Sequence, residues 1–142
     1  MFNKILVVCV GNICRSPTAA FMLQAALPNK QVDSAGLHAV VDNDMDAQAR
    51  AVAEKKGLVC KTHCARQLTS ELGREYDLIL VMEKRHRDDI AARFPELMAK
   101  TMLLGKWEGD IDIPDPYRKS DEMFEHIYEL IDTAVQSWVK KL

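Results

Sequence analysis

Cys9 and Arg15 stand six positions apart in Cys9-Val10-Gly11-Asn12-Ile13-Cys14-Arg15-Ser16-Pro17, and the residues around them suit one kind of chemistry. Gly11 and Asn12 fall where a backbone must turn. Ser16-Pro17 reads as an N-cap followed by proline in the first helical turn. A loop curled at a helix N-terminus turns several backbone N–H groups inward, which makes it a cradle for a phosphate-like anion. Arg15 adds a planar fork of donors for two oxygens of that anion. Cys9, at the base, lies in the same positive field, which favours thiolate over thiol. An anion cradle with a nucleophile at its floor is a site for phosphoryl transfer. The plainer account of Cys9 is a buried thiol at a strand end. A Walker-type phosphate loop fails, because no second glycine is followed by lysine and serine or threonine.

Transfer of a phosphoryl group to a cysteine must expel an alkoxide or phenoxide, which a positioned acid can protonate. Asp115, in Ile113-Pro114-Asp115-Pro116-Tyr117, stands between two prolines. Each proline fixes its own φ, and Pro116 also drives Asp115 into an extended conformation. Asp110 and Asp112 compete for the role without that brace. The plainer account of Asp115 is a solvated carboxylate in a rigid turn.

These residues need a scaffold, and the hydrophobic pattern supplies one. Residues 4–9 are apolar on both faces, as in a central parallel strand covered on two sides. From Ser16 to Leu27 the residues Ala19, Ala20, Met22, Leu23, Ala26 and Leu27 recur at helical spacing, and Pro28-Asn29 stops the helix. Gln31–Ala35 reads as a second strand closed by Gly36. Asp46–Lys56 reads as a helix with Gly57 at its C-terminal end, and Thr69–Gly73 as one helical turn. Tyr76–Met82 is the clearest later strand, Lys84–Arg93 a helix stopped by Pro95, and Thr101–Leu104 a short fourth strand. The run Lys84-Arg85-His86-Arg87-Asp88-Asp89 reads as a solvated helix start. Gly105–Lys119 has no periodicity and reads as a long functional loop. Ser120–Leu142 reads as a final amphipathic helix with Phe124, Ile127, Tyr128, Ile131, Ala134, Val135, Trp138 and Val139 on one stripe.

Strands alternating with helices predict a single α/β domain over residues 1–142. It has three layers, a central, mainly four-stranded parallel sheet flanked by helices, and the phosphate-binding loop after the first strand. Ligands of such sheets bind beyond the carboxyl ends of the strands, where the Cys9 loop falls. With 142 residues, 48% of them hydrophobic, and a net charge of −2, the chain can bury a core and offers no general nucleic-acid surface. No apolar run is long enough to cross a bilayer and no signal-peptide layout opens the chain, so the expectation is a cytoplasmic protein without membrane insertion. Free thiols at Cys9, Cys14, Cys60 and Cys64 suit a reducing compartment.

The two constellations together resemble the low-molecular-weight protein tyrosine phosphatases. The matching residues are Val7 to Pro17 near the N-terminus and Asp115-Pro116-Tyr117 near the C-terminus. Asp33-Ser34-Ala35-Gly36, His63-Cys64-Ala65-Arg66-Gln67 and Tyr76 to Met82 match family segments between them. The closest likeness is to the bacterial branch that acts alongside tyrosine autokinases of exopolysaccharide export. The resemblance implies that Cys9 is the nucleophile and forms a phosphocysteine. Arg15 and the amides of Val10, Gly11, Asn12, Ile13, Cys14 and Ser16 would hold the transferring group. Asp115 would protonate the tyrosine leaving group and then activate water, and Ser16 would donate a hydrogen bond to the Cys9 thiolate. Asn12, Ser34 and His63 would form the polar network that supports the loop, although His63 also reads as a solvated loop histidine. Tyr117, Arg118 and Val10 would border the substrate pocket. Eukaryotic members usually carry an aromatic residue at the place of Arg118, so peptide preference is left open. No metal or organic cofactor is implied. The implied partner is a tyrosine-phosphorylated protein, a bacterial tyrosine autokinase, met by a monomer.

Cys14 reads either as filler or as a thiol that traps an oxidised Cys9 in a reversible disulfide. Cys60-Lys61-Thr62-His63-Cys64 offers too few ligands for a zinc site, and Cys60 and Cys64 read as structural. The rival enzyme on this fold is an arsenate reductase, which needs a cysteine relay with a spacing that Cys60 and Cys64 lack. The rival of another class is a non-catalytic phosphotyrosine-binding module, which would need neither Cys9 nor Asp115.

Overall fold

The computed structural model describes residues 2–142. Strand β1 (Lys4–Cys9) is apolar and buried from Ile5 onward because both of its faces are covered. Ile5, Val7 and Cys9 pack in one cluster and Leu6 and Val8 in another, the two-residue period of a strand sorting them to opposite sides. With β2 (Gln31–Gly36), β3 (Leu78–Val81) and β4 (Thr101–Leu103) it forms a parallel sheet in the order β2-β1-β3-β4. Parallel neighbours require crossovers, which the helices provide. They are α1 (Arg15–Ala26), α2 (Ala47–Lys55), α3 (Ser70–Arg74) and α4 (Lys84–Arg93), and α5 (Asp121–Val139) follows the last strand.

On one side of the sheet, Leu23 of α1 and Ile127, Ile131 and Trp138 of α5 close over Ile5, Val7, Leu78 and Leu80. On the other, Ile90 of α4 with Leu37, Leu68 and Leu97 closes over Leu6, Val8, Ile79 and Val81. A smaller cluster of Cys14, Met45, Ala49, Val52 and Phe124 packs α2 against α5 beside the first loop. Leu80 is wholly buried, so truncation to Ala costs about 2–5 kcal/mol by the usual cavity and transfer terms.

The expected architecture holds, and the differences have local causes. β3 is shorter than Tyr76–Met82: the Tyr76 hydroxyl donates to Asp33 Oδ2 (2.7 Å), and the Asp77 carboxylate accepts from the amides of Asn3 and Lys4. β2 runs one residue further, to Gly36, and β4 stops at Leu103. The helical turn lies at Ser70–Arg74, with Thr69 as its N-cap. The segment 105–119 is not devoid of structure, since Lys106–Glu108 form a 3-10 turn and Gly105 pairs with Ile111. The last helix is α5, capped by the Ser120 side chain, which accepts from the Met123 amide. The start of α4 is not wholly solvated. His86 is buried there, because its ring turns back toward Glu83 at the carboxyl end of β3.

Candidate active site

Between β1 and α1 the chain turns its peptide groups in opposite senses. The carbonyls of Cys9, Val10, Gly11 and Ile13 accept from the amides of Leu37, His38, Val40 and Asp46. The Asn12 carbonyl faces His63 Nε2 at 2.6 Å, and the Cys14 carbonyl accepts from the Thr18 hydroxyl and amide. No backbone N–H from Val10 to Ser16 has an acceptor among the described residues. Seven consecutive amides therefore remain available on the concave side, at the positive end of α1.

Asn12 holds this shape. It is 0% exposed and has φ 59°, a left-handed conformation that asparagine tolerates better than most residues. Its Nδ2 donates to Ser16 Oγ (2.8 Å) and Ser34 Oγ (2.9 Å), and its Oδ1 accepts from the Arg66 amide (3.0 Å). The Arg66 amide can only donate, which fixes the orientation of the Asn12 amide. Ser16 Oγ, having accepted from Asn12, keeps its own proton for Cys9 Sγ at 2.9 Å. The expectation that Ser16 caps α1 is therefore overturned. The helix starts at Arg15 with Cys14 at the N-cap and no side-chain cap, and the Ser16 hydroxyl turns to the thiol instead. Gly36 is needed beside this loop, since a Cβ there would stand 2.5 Å from the Val10 carbonyl oxygen.

Arg15 is 2% exposed. Its Nη1 donates to Glu83 Oε2 (2.7 Å) and to the Ile113 carbonyl (2.8 Å), and its Nη2 lies 3.9 Å from Asp115 Oδ2. Burial pushes the Glu83 carboxyl up, but the hydrogen bonds from Arg15 and Arg85 outweigh it and hold the carboxyl below its usual range. One edge of the guanidinium is thus anchored from below by two acceptors, which aims the rest of the fork.

The 113–119 loop comes to the same place. Asp115, 43% exposed, accepts the Tyr117 amide at Oδ1 (3.0 Å) and directs Oδ2 toward Arg15. Asp112 instead accepts the Lys84 amide (2.9 Å), and the Asp110 carbonyl accepts Lys84 Nζ, so both are tied to the start of α4. Tyr117 is exposed, with the Arg118 guanidinium 5.3 Å above its ring. Arg118 has φ 61°, an unfavourable conformation for so large a residue. Val10 is half-buried, and Val40 and Val41 present apolar surface on the segment that binds the loop carbonyls.

Burial, then the charges of Asp46 and Cys9, push the Cys14 thiol up, so it stays protonated. The Cys60 thiol, half-buried, faces the Leu58 carbonyl, and the Cys64 thiol faces Asp42. Among the described residues no three His, Cys, Asp or Glu side chains gather as a metal-binding group. A groove of about 940 Å³ lies not over Cys9 but behind the loop, where Lys30, Val59, Lys61 and Arg66 are among its walls.

The geometry brings together all the residues singled out in the first loop with Ser34, His63 and Asp115. Sequence reasoning missed Glu83, the Ile113 carbonyl and the loop-supporting role of Arg66. No spacing signal marks them, since their partners lie 68, 98 and 54 residues away.

A four-stranded parallel sheet bearing an amide-lined loop with cysteine at its floor defines a phosphatase of the small cysteine-dependent type. Residues 4–142 match the family model described as low molecular weight phosphotyrosine protein phosphatase, and the chain belongs to that family. It is 50% identical to the low molecular weight protein-tyrosine-phosphatase Wzb of Escherichia coli K12, covering 100% of this chain and 97% of that protein. It is 49% identical to Etp of the same organism, over 99% and 95%. Among solved structures, Vibrio vulnificus Wzb in complex with benzylphosphonate superposes with TM-score 0.97 at 53% identity, covering 100% of both chains. The protein is accordingly a protein-tyrosine phosphatase. None of its described helices is long and apolar enough to cross a membrane.

Proposed function

We propose that the enzyme hydrolyses phosphotyrosine in proteins through a phosphocysteine formed on Cys9, and that its target is a tyrosine autokinase of capsule or exopolysaccharide export, met by a cytoplasmic monomer. The observation that carries the chemical part is the loop in which every amide from Val10 to Ser16 lacks a protein acceptor while the carbonyls face outward. Such a cradle, with the Arg15 fork, presents fixed donors to the equatorial oxygens of a transferring phosphoryl group. Cys9 Sγ attacks phosphorus as Asp115 gives its proton to the phenoxide. Asp115 then takes a proton from the water that attacks the intermediate, and Ser16 Oγ–H stabilises the departing thiolate. Val10 on one rim and Tyr117, carrying Arg118, on another would flank an aryl ring. The autokinase target rests on the likeness to Wzb alone.

Replacing Cys9 with Ser is expected to abolish turnover, by about 10⁴-fold or more as for other covalent nucleophiles, and to retain binding. The same variant, used to capture tyrosine-phosphorylated proteins, should enrich an autophosphorylating kinase. Retention of full activity would remove Cys9 from the mechanism, and capture of no such kinase would remove the target. Against the arsenate reductase reading, Cys60 and Cys64 face other partners, and a phosphotyrosine-binding module would leave the Asp115 contact with Arg15 without purpose. Cys14, whose nearness to Cys9 is felt in its own raised thiol, is proposed to condense with a peroxide-generated Cys9 sulfenic acid, releasing water and giving a disulfide. Thiol treatment should then restore activity in the parent and not in Cys14→Ser, with equal recovery counting against it.

A further inference from the structure

His86 is a buried histidine that the reaction as described does not use, and its surroundings point straight at Arg15. It is the third residue of α4, and its ring lies back over the residue that precedes the helix. Nδ1 accepts the Glu83 amide at 3.2 Å, and Nε2 stands 3.3 Å from Glu83 Oε2. That same Oε2 is the atom that receives Arg15 Nη1 at 2.7 Å. A ring nitrogen that accepts from an amide carries no proton, so the neutral imidazole bears its proton on Nε2, facing the carboxylate. At 3.3 Å this contact is a close approach rather than a well-directed hydrogen bond. Nε2 is the one buried side-chain nitrogen or oxygen without a hydrogen-bond partner among the described residues. Buried polar atoms are normally satisfied, and an exception beside a functional group calls for a reason.

We infer that His86 is a positioning residue for the phosphatase reaction: its neutral ring spans Glu83 from main chain to carboxylate and thereby sets how Arg15 presents its fork to the phosphoryl group. The inference rests on the role given to Arg15 under the proposed mechanism. The ring touches no substrate and acts only through Glu83. The charged groups facing it are Arg15 from α1, Glu83 and Arg85 at the head of α4, and Asp112 from the acid loop. Burial and the Arg15 charge both hold the imidazole in its neutral form, with its titration lowered to about 4. A protonated ring would instead donate from both nitrogens, which would break the contact with the Glu83 amide and pull its carboxylate away from Arg15. The same wiring explains why the start of α4 carries a histidine inside a run of otherwise solvated charges.

The test is a kinetic cycle on an aryl phosphate using parent, His86→Ala, Glu83→Gln and the double variant, each checked for a native thermal transition. His86→Ala is expected to lower kcat by about tenfold, the size of one coupled contact, with KM nearly unchanged, as for an interaction that matters in the transition state. The double variant should be no slower than Glu83→Gln alone. Losses that multiply, or a His86→Ala enzyme as fast as the parent, would overturn the inference. If His86→Ala does not fold, His86→Gln and His86→Asn decide. The Gln amide nitrogen reaches the place of Nε2 and should preserve kcat better than Asn, and the reverse order counts against the proposal. Independently of activity, nitrogen chemical shifts of the His86 ring should show the neutral form protonated on Nε2 from about pH 5.5 to about pH 8. An imidazolium, or a proton on Nδ1, in that range would refute the arrangement. Arg15→Lys separates the two layers, because an unimpaired Arg15→Lys enzyme would remove the proposed role of Arg15 while the ring readout stood.

Discussion

The two loops that meet at Cys9 are built on opposite plans. Residues 9–16 are mostly buried and cross-braced from six other parts of the chain, by Ser34, the 37–40 segment, Asp46, the 63–66 segment, Glu83 and the Ile113 carbonyl. Residues 113–119 lie largely at the surface. Asp115 is held mainly by the adjacent Tyr117 amide, its neighbouring prolines and a distant contact with Arg15. The difference fits the two tasks proposed for them. Stabilising charge on a phosphoryl group needs donors that do not reorganise as the charge develops. An acid that first gives a proton to a phenoxide and then takes one from water must face two different partners, which a lightly held side chain on a stiff backbone allows.

Breaking the acid side should cost rate and little stability. Asp115→Asn is expected to slow cleavage of aryl esters by about 10²–10⁴-fold, and to slow it less when the leaving phenoxide needs no proton. A loss below tenfold would shift the acid to Asp110 or Asp112, against their ties to Lys84. Breaking the rigid side should show first in folding. Asn12→Ala removes three side-chain hydrogen bonds, two of them buried, and leaves alanine in a left-handed conformation, for a loss of about 2–4 kcal/mol in denaturant unfolding. A change under 0.5 kcal/mol would mean that the loop does not depend on that side chain. Acid offers a gentler contrast. The unfolded chain protonates His86 below about pH 6.5, whereas the folded protein resists until about 4, so stability should be flat above 6.5 on this account and fall between the two. By pH 5 the loss from this residue is about 2 kcal/mol, and His86→Gln should abolish it. An unchanged acid slope in that variant would assign the loss to other groups.

What could be read from the sequence was whatever is local. Cys9, Asn12 and Arg15 fall within one short loop, and the double proline marks Asp115 without any fold. β1 and β3 were legible because burial on both faces leaves an unbroken apolar run. Ser16 misled for a physical reason. Ser-Pro at a helix start ordinarily means a cap, but here the hydroxyl is worth more against a thiol, and Pro17 loses nothing where amides lack helical partners anyway. Glu83, His86 and Arg66 could not be seen. Glu83 and His86 sit in a charged stretch that looks solvated, Arg66 sits in a segment without periodicity, and each acquires its meaning from a partner more than fifty positions away or from the turn of a single ring.

The outward-facing carbonyls of the first loop have a consequence for how such an enzyme can diversify. Because the anion would be gripped by peptide groups, the side chains of Val10 and Ile13 are released from that duty. On the proposed reading, Val10 would be free to follow the shape of the target while the main chain kept its grip. Selectivity and reactivity would then be carried by different atoms of the same few residues, and one would drift without disturbing the other.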